Sequence, residues 1–73
     1  MPRHLVQNPA YVFLAKTTEA RDEILKSHFL AREITNDEFN QQLEATGDVP
    51  DFQLSQNFDA YVWERGEHYA TST

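Results

Sequence analysis

The chain has no cysteine, only two glycines, and no apolar run approaching the roughly 20 residues that span a bilayer. Without cysteine there is neither a disulfide staple nor a thiolate metal site, which fits a reducing compartment. With no long apolar run, and a start, MPRHLVQNPA, that lacks the apolar centre of a secretion signal, the expectation is a soluble, cytosolic protein with no membrane partner. Gly47 and Gly66 are too few and too far apart to make a phosphate-cradling loop. At 73 residues one domain, 1–73, is expected, and only about 60 % of the unfolded chain's surface can be buried on folding.

Charge is missing in a second, more informative way. Residues 1–18 contain no acid, and residues 33–64 contain no base. Arg3 and Lys16 make the first segment +2, so the net −6 of the whole chain becomes −8 for the rest. Glu33, Asp37, Glu38, Glu44, Asp48, Asp51, Asp59 and Glu64 follow one another with no Lys or Arg between them. Such a field repels nucleic-acid phosphates and attracts basic protein surfaces, so direct nucleic-acid binding is not expected. A charge of this size also simply keeps a small domain dissolved. Both readings stand at this point.

Gln7, Asn8 and Pro9 signal a turn, and the aromatic and β-branched run after it predicts a strand at about 10–15. Thr17 or Thr18 can cap a helix at about 18–31, whose stripe is Ala20, Ile24, Leu25, His28 and Phe29 or Leu30. A second helix, about 36–46, has its grammar in ITNDEFNQQLEATG. Thr35 and Glu38 form a capping box, Ile34 and Phe39 a hydrophobic staple, Asp37 complements the dipole, and Gly47 terminates. So short a connection between the helices predicts an antiparallel hairpin with Phe29, Leu30, Ile34, Phe39 and Leu43 at its seam. After Gly47 the chain reads as a loop through Pro50, with Val49, Phe52 and Leu54 available to cover the core edge.

FDAYVWERG fits both a helical stripe capped by Ser55 or Asn57 and, by propensity, a strand at about 59–64. AYVW at 60–63 echoes AYVF at 10–13, and the strand is preferred, with aromatic cross-strand pairs expected. The fold class is α+β: a helical hairpin packed on a sheet of two or three strands, with residues about 67–73 expected to fray.

No arrangement of residues calls for catalysis or a cofactor. Asp37 and Glu38, adjacent on a first turn, are accounted for by capping. His4, His28 and His68 lack metal-ligand spacing, and His28 on the helix stripe reads as a partly buried polar residue with a hydrogen-bond partner. Ser27 and His28, sequence neighbours, point about 100 degrees apart on a helix. The expectation is a non-enzyme that works by contact. Since a hairpin covers one sheet face, the alternation of the two strands would leave Tyr11, Phe13, Tyr61 and Trp63 as an aromatic platform on the other, rimmed by Arg3, Lys16 and Arg65. Glu44, with the base-free run beyond it, would steer a basic partner toward that face. The opposite assignment, aromatics inward and aliphatics outward, is equally compatible with the pattern.

Two resemblances bear on these residues. Ile34, Thr35, Asp37, Glu38 and Phe39 resemble the opening of the second helix of the SHOCT helical hairpin, though Asn36 departs from it and Arg32 and Glu33 stand where a glycine is usual. The chain as a whole, from MPRHLVQNPAYVFLAK to YVWERGEHYATST, resembles small phage-encoded transcription regulators and antiterminators that bind host bacterial RNA polymerase. That resemblance implies action in the host bacterial cytoplasm and docking near the amino-terminal region of the β′ subunit and the β flap, beside the RNA exit channel. It further implies displacement of sigma factor, shutdown of host initiation, and suppression of intrinsic termination together with NusA. It assigns no contact residue. Two rivals suit the same acidity: a nucleic-acid mimic that inhibits a host DNA-binding defence enzyme, and an antitoxin-like cover for one protein.

Overall fold

The structure is a computed structural model that describes residues 3–65. In chain order its elements are β1 (His4–Gln7), β2 (Tyr11–Ala15), α1 (Thr18–Ser27), β3 (Arg32–Ile34), α2 (Asn36–Thr46), β4 (Gln53–Leu54) and β5 (Ala60–Glu64). Residues 67–73, expected to fray, and His68 among them, lie outside the described residues.

Local chemistry sets the element ends. The Asn8 side-chain oxygen accepts from the backbone N–H groups of Ala10 and Tyr11 at 3.0 and 2.7 Å, closing the β1–β2 turn where Pro9 can donate nothing. Thr17 caps α1 by accepting from the Ala20 N–H at 3.0 Å. Thr35 caps α2 by accepting from the Glu38 N–H at 3.0 Å, and Gly47 ends it in the left-handed region at φ 74°. The reciprocal half of the capping box does not form, because Arg32 takes the Glu38 carboxylate. Helix α1 stops at Ser27, four residues short of the expected end. His28 leaves the helix with an extended backbone, and Leu30 turns the chain at φ 61°.

That early stop removes the predicted hairpin. The residues after it become β3, which pairs antiparallel with β1 through Leu5–Ile34, Val6–Glu33 and Gln7–Arg32. The sheet has five antiparallel strands in the order β3-β1-β2-β5-β4, against the two or three expected. β1, β3 and β4 are four, three and two residues long, too short to show a periodicity of their own. The strand at FDAYVWERG is confirmed as β5, paired antiparallel with β2.

The two helices lie on opposite faces of this sheet. Neighbouring strand residues point to opposite sides, and the core divides accordingly. Ala20 and Ile24 of α1 pack on Val6, Phe13, Ala15 and Ala60. Phe39 of α2 packs with Ile34 on Leu5, Val12 and Trp63, with Leu43 and Phe52 at the margin. Ile24, Val6 and Val12 are fully buried, each contributing about 1.5–3 kcal/mol by leaving water. Phe29 and Leu30, expected at a helical seam, are instead 82 % and 63 % exposed. Of the loop residues offered as a core edge, Phe52 packs inward, whereas Val49 and Leu54 stay exposed. The sheet ends in the short edge strands β3 and β4.

Candidate functional site

The β2–β5 register decides the fate of the aromatic platform. Val12 pairs with Trp63, Phe13 with Val62, Leu14 with Tyr61 and Tyr11 with Glu64. Tyr11 and Phe13 therefore share the α1 face with Val62, while Tyr61 and Trp63 share the α2 face with Val12 and Leu14. The four rings are split between faces, no two stand directly opposite across the strands, and both faces carry a helix. Phe13 is 3 % exposed, in ring contact with Tyr11, His28 and Phe58 at centroid distances of 5.8, 4.6 and 6.1 Å. Trp63 is 8 % exposed, edge-on to Phe39 and Phe52. Both are core residues. His28 is half-buried as expected, but its surroundings are the rings of Tyr11, Phe13 and Phe58.

Of the expected cationic rim, Arg65 is drawn inward. The Arg65 side chain is only 1 % exposed, although its sequence context reads as a strand end. Its guanidinium lies 4.5 Å from the Trp63 ring centre and donates to Asp48 Oδ2 at 2.8 Å, Gln42 Oε1 at 3.2 Å and Thr46 Oγ1 at 3.4 Å. It ties the end of β5 to the C-terminal turn of α2. Lys16 sits 4.7 Å over Tyr61 and pairs with Asp59 at 3.8 Å. Arg3 is exposed, and Glu44 faces outward on α2.

The acidic run is not uniformly available. Glu33 accepts from Arg21 at 3.2 Å and bonds His4 at 2.8 Å, whose other ring nitrogen lies 3.5 Å from the Thr18 hydroxyl. Glu38 pairs with Arg32, Asp48 with Arg65 and Asp59 with Lys16, so four of the eight run acids meet bases brought from outside the run. The hydrogen bond from Arg32 holds the Glu38 carboxyl below its ordinary value, against a smaller opposing effect of burial. Arg21 is held more firmly charged, chiefly by its hydrogen bond to Asp22. Asp37, Glu44, Asp51 and Glu64 have no ion-pair partner among the described residues, and all four are exposed. Asp37 and Glu44, seven residues apart, stand about 10 Å apart along one side of α2.

Asp51 and Glu64 line a groove of about 320 Å³ together with Tyr11, Gln53, Val62 and Trp63. It opens on the α1 face of the sheet where β5 and β4 run past the cover of α1, which lies mainly on β1, β2 and β3. A mixed wall of ring, aliphatic and carboxylate suits a long cationic side chain, with an apolar stem and a charged tip. Among the described residues no group of three or more His, Asp or Glu side chains gathers as a metal site would need. No helix among them is long and apolar enough to cross a membrane.

Comparison with known proteins found no matching family model, no matching curated protein and no matching solved structure. The site therefore rests on its own geometry. Of the residues expected at a binding face, the groove gathers Tyr11 and Trp63 and leaves Arg3, Phe13, Lys16, Glu44, Tyr61 and Arg65 outside it. It adds Asp51, Gln53, Val62 and Glu64. Two of these were visible as members of a base-free run, but nothing in the sequence separates them from Asp48 and Asp59, which fold onto bases.

Proposed function

We propose that the protein is a non-enzymatic regulator that binds host bacterial RNA polymerase in the bacterial cytoplasm. It docks near the amino-terminal region of β′ and the β flap, beside the RNA exit channel. From there it inhibits sigma-dependent initiation and, with NusA, suppresses intrinsic termination. The whole-chain resemblance to phage-encoded polymerase-binding regulators suggests the partner. The observation that carries a contact function is the outward-facing acid: Asp37, Glu44, Asp51 and Glu64 have no ion pair among the described residues, whereas Lys16, Arg21, Arg32 and Arg65 are each held by acids. Such a surface favours a basic partner in encounter rate and in register.

The nucleic-acid mimic is the weaker reading on a specific observation. A mimic needs rows of carboxylates at phosphate-like spacing, and half of the run is engaged in ion pairs whose bases cancel the charge locally. An antitoxin-like role has no feature of its own to favour it.

Two measurements test the proposal. Immobilised protein should recover core RNA polymerase from a bacterial lysate, and purified protein should raise read-through at an intrinsic terminator and lower sigma-dependent initiation in transcription in vitro. Failure to retain polymerase at micromolar bait, with transcription unchanged, would overturn it. Recovery of a DNA-binding enzyme in its place would favour the mimic.

A further inference from the structure

Asp51 and Glu64 line one groove at the β4–β5 end of the sheet. Gln53 pairs with Val62 and Leu54 with Tyr61. Continued two residues past Gln53, that ladder would set Asp51 opposite Glu64, which pairs with Tyr11 on its far side. Like charges directly opposite one another across strands are destabilising, and the β4 ladder extends no further than Gln53 toward them. Neither carboxylate has an ion pair among the described residues, and no Lys or Arg lines the groove. β4 is also an edge strand, with no strand on its outer side among the described residues.

We propose that this groove receives a lysine or arginine from an extended basic segment of a protein partner. The cation sits between Asp51 and Glu64, its aliphatic stem lies on Val62 and Tyr11, and the segment's backbone runs along the outer edge of β4. Charge complementarity selects the cation. The open edge selects a polypeptide over a free amine, because main-chain hydrogen bonds to an edge strand are available only to another chain. The inference deepens the contact reading above and rests on it for the class of partner.

The test is a titration of the full chain, followed by backbone amide NMR shifts, with three probes: a short peptide alternating Arg with Val, its counterpart with citrulline for Arg, and spermidine. The Arg peptide should shift residues 51–54, 60–64 and Tyr11, and the neutral citrulline peptide should bind at least about tenfold more weakly. Asp51→Asn with Glu64→Gln should weaken the Arg peptide by about tenfold or more. Glu19→Gln with Glu23→Gln, which removes the same charge from α1, should change it by less than about threefold. Equal losses in the two double variants, shifts elsewhere, or spermidine binding as tightly as the peptide would overturn the proposal. The polymerase reading fails separately. If polymerase is captured equally well by parent and Asp51→Asn/Glu64→Gln protein, the groove assignment falls and the partner stands. Peptide binding in the groove with no polymerase recovered gives the reverse.

Discussion

Arg65→Ala tests the claim that a buried arginine joins the second helix to the last strand. The guanidinium loses Asp48, Gln42, Thr46 and the face of Trp63 at once. Removing one member of a fully buried ion pair costs about 3–5 kcal/mol, because the other charge is left stranded. Asp48 is 45 % exposed and rehydrates, so the loss at that contact falls toward the roughly 0–1 kcal/mol of surface pairs. What remains is the charge-assisted bond to Gln42, about 1.5–3 kcal/mol, and the cation–π contact, about 0.5–2 kcal/mol. A total of about 2–6 kcal/mol results, out of about 4–11 kcal/mol expected for a domain of this length at about 0.05–0.15 kcal/mol per residue. With each kcal/mol moving Tm by about 4–8 °C in so small a domain, the melting point should fall by on the order of 20 °C. Urea titration followed by far-UV circular dichroism and by the fluorescence of Trp63, the single tryptophan, reads the change. Arg65→Lys should fall between parent and Ala, since an ammonium keeps the charge but not the fork. An Arg65→Ala midpoint equivalent to less than about 0.5 kcal/mol of destabilisation, at unchanged slope, would refute the clamp.

Four further outcomes are expected. Thr35→Ala should cost about 1 kcal/mol in urea unfolding through loss of the bond to the Glu38 N–H, and Gly47→Ala should cost about as much through the left-handed backbone alone, since an added Cβ would meet nothing within 4 Å. Leu30→Gly should be more stable than Leu30→Ala by up to about 1 kcal/mol in urea unfolding, because the residue is exposed at φ 61°; a glycine variant less stable than the alanine one would contradict the left-handed turn. Glu38 has its folded pKa depressed by Arg32, so its contribution is present above the unfolded value and disappears as pH falls through the folded one. The advantage of parent over Glu38→Gln in urea midpoint should accordingly be present at neutral pH and vanish in acid, and an advantage that persists at low pH would contradict the pairing.

How far the sequence could be read depends on the separation between partners. The Asn8 turn, the Thr17 and Thr35 caps, the Gly47 terminator and the bounds of α2 involve groups within about four residues of one another, so composition and spacing suffice. The early end of α1 was not legible, because its apolar stripe continues in letter through Leu30 while His28 is drawn among the rings of Phe13 and Phe58 from distant segments. The candidate groove was half legible: its carboxylates stood out as base-free, but which of the run's acids stay unpaired depends on Arg65 reaching Asp48 and Lys16 reaching Asp59 across 17 and 43 residues.

By itself the sequence determined the α+β class, the second helix with its caps, and the two central strands, because each is written in local hydrogen-bond partners or in a run long enough to show its propensity. Tertiary structure alone decided the three short strands, whose four, three and two residues form only against a neighbour. It also decided that a helix lies on each face of the sheet and that Phe13 and Trp63 are core rather than surface. The physical reason is register: a pairing of Val12 with Trp63 sends the echoing aromatics to opposite faces, and a shift of one residue would have gathered them on one.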